Sequence, residues 1–123
     1  PFLVEAAQRG QARLVRGSLE DSSSLREALT GAACVLQLAT GNGPTWETVQ
    51  RAMVDGTRAV AELALERGVK RFVFASTIAA LYLGADCGYK RISDSLETDP
   101  QPDGRSLYAR GKIATEKALV ELH

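Results

Sequence analysis

Continuous apolar runs of strand length occur at two positions in the chain. Residues 33–39 and 70–75 are dominated by apolar side chains, and residues 12–15 form a shorter β candidate. A parallel strand whose two faces are both covered shows such a run rather than a strict alternation. The pattern therefore predicts three strands, with the two longer ones buried on both faces.

Helical periodicity occupies the segments between these runs. Residues 45–67 place apolar side chains three and four positions apart, and the hydroxyl of Thr45 can cap the first turn. Shorter helices are predicted over residues 2–9 and at about 25–29, where polar N-caps and terminal glycines mark the ends. A last helix carries Tyr108 and is expected to run to the end of the chain.

Glycine and proline interrupt residues 77–107, so this long segment is predicted to be an active-site loop or a flexible segment. Its acidic side chains are expected to be solvated. The other elements alternate between helix and strand, which is the order of a doubly wound parallel sheet with helices on both faces. Ligands of such sheets bind beyond the carboxyl ends of the strands. We therefore expect the strand ends and the Tyr108 helix to meet in one crevice.

Composition narrows the choice of partners. Fifteen basic residues balance fifteen acidic ones in a chain of 123 residues, so net charge supports neither a nucleic-acid partner nor an anionic membrane. The apolar runs are too short to span a bilayer. Cys34 is expected to be a buried, inert thiol, and it has no metal-ligand spacing with Cys87. The single histidine is the terminal His123, so no metal site is predicted, and the lack of a disulfide framework favours the cytoplasm.

Tyr108 and Lys112 are the leading candidates for chemistry. Side chains four residues apart on a helix lie on one face, one turn from each other. A phenol is a poor base at neutral pH because its reference pKa is about 10, and a nearby ammonium favours the phenolate. Such a pair can exchange a proton near neutral pH. On spacing alone, a half-exposed tyrosine and a solvated lysine are the more common interpretation, because Y-x-x-x-K often occurs by chance.

Five short motifs favour the functional interpretation of Tyr108 and Lys112 over a chance occurrence. They follow one another along the chain. They are V-R-G-S-L-E-D at 15–21, V-L-Q-L-A at 35–39, V-D-G-T at 54–57, G-V-K-R-F-V-F-A-S-T at 68–77 and Y-A-R-G-K at 108–112. In this order they resemble G-D-L-x-D, V-x-H-L-A, N-V-x-G-T, G-V-x-R-F-V-x-x-S-S and Y-x-x-x-K of the extended short-chain dehydrogenase/reductase family. That family is also called the NAD-dependent epimerase/dehydratase family. The resemblance covers nearly all of the chain and implies a Rossmann-like doubly wound parallel sheet.

The sequence also departs from the family pattern, both in missing segments and at single residues. The Gly-rich G-x-x-G-x-x-G loop, the first two strands and the C-terminal substrate-binding part are all missing from the sequence. Residues 1–123 are therefore expected to form part of one NAD(P)-binding Rossmann-like domain, with an incomplete sheet. Ser18 replaces an aspartate that usually contacts the adenine, Gln37 stands where histidine is common, and Met53 stands where asparagine is frequent.

The resemblance also implies roles for individual residues. Lys112 would bind the nicotinamide ribose and favour the phenolate of Tyr108, which exchanges a proton with the substrate. Thr77 or Ser76 would polarise the same substrate oxygen, and the second hydroxyl of the family's S-S pair, here Thr77, is usually the catalytic one. The cofactor-binding set implied by the family is Ser18, Leu19, Leu38, Ala39, Thr40, Ala75, Tyr108 and Lys112. For Ser18 and Thr40, ordinary turn and capping chemistry explains the residue equally well, and Trp46 and Tyr82 are expected to pack rather than to touch substrate.

The function implied is an NAD(P)-dependent oxidoreductase that interconverts a carbonyl and a secondary alcohol through a Ser/Thr-Tyr-Lys site. A nucleotide-sugar epimerase or dehydratase of the same family is one alternative. A non-catalytic NAD(P)-binding sensor or assembly factor is another, although a sensor does not need the Tyr/Lys pair. NAD or NADP is the expected cofactor, a small molecule is the expected partner, and a homodimer is left open.

Overall fold

The structure is a computed structural model that describes residues 2–82 and 92–122. Within these residues the helices are α1 (Phe2–Gln8), α2 (Ser22–Ala28), α3 (Trp46–Val49), α4 (Gly56–Glu66) and α5 (Leu107–Val120). The strands are β1 (Cys34–Gln37) and β2 (Arg71–Phe74), and short 3₁₀ helices span Ile78–Ala80 and Pro102–Gly104. Four residues named from the sequence lie outside the described residues: Gly84, Cys87, Gly88 and His123.

The two strands pair in parallel, in a register that runs from Cys34 opposite Arg71 to Gln37 opposite Phe74. Parallel neighbours cannot be joined by a tight turn, so the chain must cross over between them. The crossover is the helical segment that ends with α4. The predicted alternation of strand and helix, and the predicted parallel pairing, are therefore confirmed for this part of the chain.

The crossover helix is continuous from Trp46 to Glu66, but its middle is not α-helical. Residues Gln50–Asp55 form a π-helical segment between α3 and α4. Thr45 caps the start, where its hydroxyl accepts from the N–H of Thr48 and its own N–H donates to the Thr48 hydroxyl. The helix predicted over 45–67 is confirmed, whereas apolar spacing could not distinguish the π-helical segment from α-helix.

The strand predicted at residues 12–15 is wrong, because residues 12–18 have no regular secondary structure. A strand exists only where a neighbour completes its backbone hydrogen bonds. In the strand order 3-2-1-4-5-6 that is typical of Rossmann folds, the third strand pairs with the second. Within the described residues, neither β1 nor β2 pairs with residues 12–15, so these residues form no strand.

The prediction that β1 and β2 are buried on both faces is also wrong. Val35, Gln37, Phe72 and Phe74 turn towards the helices, and the two phenylalanines line a cavity with residues of α4 and α5. On the opposite face Leu36 is 61% exposed and Val73 is 42% exposed. Within the described residues nothing covers that face. Each strand is therefore buried on only one face, despite its apolar composition.

Cys34 lies on the same uncovered face. It is an exposed free thiol rather than the buried core thiol that its apolar neighbours predicted. A side chain in an apolar run is buried only if another element covers its side of the sheet. Alternate residues of a strand point to opposite faces, and Cys34 points away from α4 and α5.

The core lies where α5 crosses the helix that runs from Trp46 to Glu66. Val49, Met53, Thr57, Ile113 and Thr115 are the largest of its fully buried side chains. Gly111 of α5 lies at the closest approach, because an added Cβ would come within 2.6 Å of Val49 Cγ1. Close packing of this kind fixes the rotation of α5 and therefore which of its side chains face the strand ends.

A buried ion pair holds the chain that leads into α5. Asp99 Oδ2 accepts from Arg105 Nε at 2.6 Å, and Asp99 Oδ1 accepts from the N–H of Gln101 at 2.9 Å. The bond from Gln101, followed by the Arg105 guanidinium, holds the pKa of Asp99 below its usual range. The prediction that the acidic residues of the loop are solvated is therefore wrong for Asp99, which is 5% exposed.

Candidate functional site

Helix α5 brings Tyr108 and Lys112 onto one face. The helix starts after Ser106, whose hydroxyl accepts from the N–H of Ala109 at 3.3 Å. Lys112 Nζ lies 5.8 Å from the centre of the Tyr108 ring. Tyr108 is 38% exposed, whereas Lys112 is 3% exposed. Tyr108 is therefore partly open to solvent, whereas the neighbouring Lys112 is almost completely withdrawn from it.

The buried ammonium of Lys112 is held by the end of strand β2. Its Nζ donates to the carbonyl oxygen of Ala75 at 2.6 Å and lies 4.5 Å from the centre of the Phe74 ring. Burial lowers the pKa of Lys112, and the nearby Glu116 carboxylate opposes that shift. Desolvation disfavours a charged group, and a neighbouring opposite charge favours it. Two of the sequence-predicted site residues, Ala75 and Lys112, are thus in direct contact.

The two neighbouring hydroxyls after β2 have different partners. Ser76 Oγ donates to the Glu116 carboxylate. Thr77 instead caps the 3₁₀ helix Ile78–Ala80, because its hydroxyl oxygen accepts from the N–H of Ala79 at 3.3 Å. A hydroxyl has one proton to donate. The proton of Ser76 is taken by Glu116, whereas Thr77 has its oxygen engaged in the described contact and its proton free to turn towards a ligand.

Glu116 is a residue that the sequence argument missed. It lies one turn beyond Lys112 and two turns beyond Tyr108 on the same face of α5, so its spacing could have revealed it. Its partner Ser76 lies 40 residues earlier in the chain, in the loop after β2. Only the packing of α5 against the end of β2 brings the two together.

The end of β1 lies directly beside the end of β2. The N–H of Ala75 donates to the carbonyl of Gln37 at 3.1 Å, which continues the parallel pairing past both strands. The Gln37 side chain is buried and donates from Nε2 to the carbonyl of Ala39 at 3.0 Å. Leu38, Ala39 and Thr40 are exposed just beyond this point. These predicted cofactor-binding residues therefore share the sheet edge with Ala75.

Ser18 and Leu19 make different contacts. Ser18 Oγ accepts from the N–H of Glu20 at 3.2 Å, which is ordinary turn chemistry. Leu19 packs beside α4, where its Cβ would lie 3.2 Å from a Cβ added at Gly56. Neither contact involves α5, so the structure does not join Ser18 or Leu19 to the Tyr108–Lys112 pair.

Trp46 packs against α5 at the start of the crossover helix. The Arg110 guanidinium lies 4.0 Å from the centre of the Trp46 ring, and Arg110 also forms an ion pair with Asp103 at 3.5 Å. A guanidinium over an indole ring is an attractive cation–π contact. The packing role expected for Trp46 agrees with this contact.

The described part of the chain offers neither a cluster of metal ligands nor a membrane-spanning helix. No group of three or more His, Cys, Asp or Glu side chains in residues 2–82 and 92–122 is arranged to hold a metal ion. None of the helices in the same ranges is long and apolar enough to cross a membrane.

Comparison with curated proteins gives relatives that are oxidoreductases by name. The chain is 32% identical over 111 residues to cinnamoyl-CoA reductase 1 of Petunia hybrida, a match that covers 88% of this chain and 33% of the relative. It is 36% identical over 59 residues to an NAD-dependent glucose-6-phosphate dehydrogenase of Haloferax volcanii, covering 46% of this chain and 22% of the relative. The chain thus spans at most about a third of the length of these relatives.

Solved structures support the same fold. A short-chain dehydrogenase/reductase superfamily protein from Agrobacterium tumefaciens, solved with bound NAD, superposes with a TM-score of 0.72 at 26% identity. The match covers 98% of this chain and 40% of that protein. The predicted Rossmann-like fold class is confirmed, with the chain forming part of such a sheet.

A family comparison gives the same answer from sequence. The model of the family described as "NAD dependent epimerase/dehydratase family" matches residues 3–123. It spans the Tyr108–Lys112 pair, both described strands and the crossover helix between them. The resemblance inferred from the five motifs is thus confirmed, and the chain belongs to the NAD-dependent epimerase/dehydratase family.

Proposed function

We propose that the protein is an NAD-dependent oxidoreductase that interconverts a carbonyl and a secondary alcohol, with Tyr108, Lys112 and Thr77 as its catalytic groups. The observation that carries the proposal is the placement of Lys112. Its ammonium is buried, fixed on the Ala75 carbonyl at 2.6 Å, and lies under the half-exposed ring of Tyr108. A lysine needed only for solubility has no reason to occupy such a position.

Tyr108 is the proton donor and acceptor of the proposed reaction. The residue is 38% exposed, which leaves room for a substrate to approach its side chain. The Lys112 ammonium lies 5.8 Å from the centre of the Tyr108 ring, so a positive charge lies beside the group that exchanges the proton. A positioned acid or base of this kind usually contributes about 10²–10⁴-fold to the rate.

Thr77 polarises the substrate oxygen in this proposal. Its hydroxyl oxygen is already held by the N–H of Ala79, which fixes the side chain at the end of β2. The methyl group of threonine restricts χ1 further. The hydroxyl proton can then be donated to the oxygen that exchanges a proton with Tyr108. Ser76 is less suited to this role because its proton goes to Glu116.

The residues of the site fit the ribose of a nicotinamide cofactor. An ammonium has three N–H groups, and Ala75 takes one of those of Lys112, so two can reach the hydroxyls of a ribose. Leu38, Ala39 and Thr40 lie beside Ala75 at the carboxyl edge of the sheet, where dinucleotides bind in such folds. The cofactor, when bound, supplies or accepts the hydride.

The names of the relatives favour a reductase or dehydrogenase over the alternatives. Cinnamoyl-CoA reductase and glucose-6-phosphate dehydrogenase are both named for net oxidation or reduction of a substrate. An epimerase or dehydratase of nucleotide sugars remains the second candidate, because the family name covers both classes. A sensor or assembly factor is the least favoured, since it has no use for a buried lysine beneath a tyrosine.

The test is a turnover assay with the full-length protein. NADH and NADPH are each mixed with aldehydes, ketones and aromatic acyl-CoA thioesters, and NAD⁺ and NADP⁺ are each mixed with sugar phosphates and nucleotide sugars. The change in nicotinamide absorbance and the conversion of the substrate are both followed. We expect turnover with at least one carbonyl compound and a preference for NADH. Conversion of a nucleotide sugar without net change in the nicotinamide would support the epimerase or dehydratase instead. Tight NAD binding without any turnover would support the sensor.

The remaining expectations are part of the same proposal. Residues 1–123 form part of one NAD-binding domain, the protein acts in the cytoplasm, and its partner is a small molecule rather than nucleic acid or a membrane. The balanced charge of the chain is the support for the last point. Light scattering of the purified full-length protein would show whether it forms a homodimer, and cell fractionation would test its location.

A further inference from the structure

Two consecutive residues after β2 are tied to two residues of α5 that lie one turn apart. Ala75 accepts from Lys112 through its carbonyl oxygen, and Ser76 donates to Glu116 through its hydroxyl. Ala75 is also held by its N–H on the Gln37 carbonyl, whereas Ser76 lies one residue beyond this pairing. Two links, side by side, define both the position and the orientation of the segment that carries the Ala75 carbonyl and Thr77.

The Lys112 side chain depends on that orientation more than an ordinary lysine would. It is 3% exposed, so its ammonium has given up most of its water contacts. Burial of a flexible lysine costs side-chain entropy, and the lost hydration is costly unless a hydrogen bond replaces it. The carbonyl of Ala75 provides that hydrogen bond. If the strand end moved, the ammonium would lose the acceptor that compensates its burial.

We infer that Glu116 is a positioning residue of this site: it holds Ser76, and through Ser76 it holds the Ala75 carbonyl against the Lys112 ammonium. This inference rests on the proposed function only for its effect on catalysis. The arrangement of Lys112 in the protein without cofactor is a separate consequence that needs no activity. Glu116 touches neither the Tyr108 hydroxyl nor a substrate in this assignment, so it acts through Ser76 and Lys112.

The first readout is the chemical reactivity of Lys112 without cofactor. The full-length protein is exposed to a limiting amount of acetic anhydride, and acetylation of Lys112 is measured by mass spectrometry. We expect Glu116→Ala and Ser76→Ala each to raise the acetylation rate by about tenfold, because each removes a hydrogen bond to a charged group. The double variant should react no faster than Glu116→Ala, since both substitutions remove the same link.

Glu116→Gln separates hydrogen bonding from charge. The amide oxygen can still accept from Ser76, so we expect Glu116→Gln to be acetylated more slowly than Glu116→Ala, although faster than the wild type because loss of the Glu116 charge lowers the pKa of Lys112 further. Glu121→Ala is the matched control, because it removes an exposed carboxylate from the end of the same helix. Additive effects of Ser76→Ala and Glu116→Ala, or a Gln variant as reactive as the Ala variant, would show that Glu116 does not act through Ser76.

The second readout is kinetic. If the proposed function holds, Ser76→Ala and Glu116→Ala raise the KM for NADH more than they lower kcat, because the displaced Lys112 no longer meets the ribose. A variant that only destabilised the fold would change neither constant for the molecules that remain folded. Absence of turnover in the wild type would refute the proposed function and leave the acetylation result to decide the positioning role. An acetylation rate that no variant changes would overturn the inference even in an active enzyme.

Discussion

Gly111 of α5 lies against Met53 of the π-helical segment so closely that an added Cβ would come within 2.8 Å of the Met53 sulfur. Gly111 sits directly before Lys112 and three residues after Tyr108. The absence of a side chain at this position lets α5 approach the crossover helix and turns the face that carries Tyr108 and Lys112 towards the ends of the strands. Packing and site geometry are therefore set by the same residue.

Gly111→Ala should destabilise the protein by about 1–3 kcal/mol, the usual cost of overpacking a well-filled core. The new methyl group meets Val49 as well as Met53, so neither neighbour can move away freely. Urea unfolding of the full-length protein measures the loss. Gly104→Ala is the control, because an added Cβ there meets nothing within 4 Å. A Gly111→Ala variant as stable as the control would contradict the close contact.

Tyr108→Phe should lower kcat by about 10²–10⁴-fold, the usual contribution of a positioned acid or base. Phenylalanine keeps the ring that lies beside Lys112 and removes only the hydroxyl, so the unfolding midpoint should stay the same. Steady-state kinetics and a thermal melt together check both parts. Near-normal turnover in a folded variant would remove Tyr108 from the proposed mechanism.

Thr77→Val should lower kcat by about 100-fold, the low end for one lost donor to a reacting oxygen. Thr77→Ser should be mild because it keeps the hydroxyl and the cap on Ala79. Ser76→Ala should affect cofactor affinity more than turnover. Kinetics of these three variants decide between the neighbouring hydroxyls, and a larger fall in kcat for Ser76→Ala than for Thr77→Val would reverse their roles.

The alkaline limb of the pH–rate profile should move in Glu116→Gln. Burial already holds the pKa of Lys112 below that of an ordinary lysine, and the Glu116 charge partly offsets this. Without that charge the pKa falls further, so the ammonium is lost at a lower pH. The decline of kcat/KM at high pH should therefore begin earlier, while kcat near neutral pH is retained. An unchanged alkaline limb would show that the fall of kcat/KM at high pH does not come from the ionisation of Lys112.

Asp99→Asn should destabilise the protein at neutral pH and have little effect in strong acid. The pKa of Asp99 is lowered in the folded protein by the Gln101 N–H and then by Arg105. The carboxylate therefore stabilises the fold above the pKa of an unfolded aspartate, about 3.9, and this contribution disappears as pH falls through the lower, folded value. Thermal melts of the wild type and of Asp99→Asn, at neutral pH and in strong acid, provide the measurement. Asp103→Asn, at a largely exposed carboxylate, is the matched control.

Local chemistry was enough to predict much of the fold. The helices at 2–9 and 45–67, the strands near 33–39 and 70–75 and the helix of Tyr108 follow from periodicity, capping residues and terminal glycines, which act over a few positions. The five motifs likewise identified the family, because each combines a local backbone requirement with a particular side chain. Tyr108, Lys112 and the hydroxyls after β2 could be named for the same reason.

The tertiary structure decided everything that depends on a neighbour distant in sequence. Cys34 and Leu36 belong to an apolar run, yet they are exposed because nothing described covers their face of the sheet. Residues 12–15 have strand composition but form no strand, since pairing needs a partner. Lys112 is buried on Ala75, and Glu116 reaches Ser76, only because Gly111 allows α5 to pack closely against the crossover helix. Those contacts join residues 37 and 40 positions apart, a separation over which no local pattern carries information.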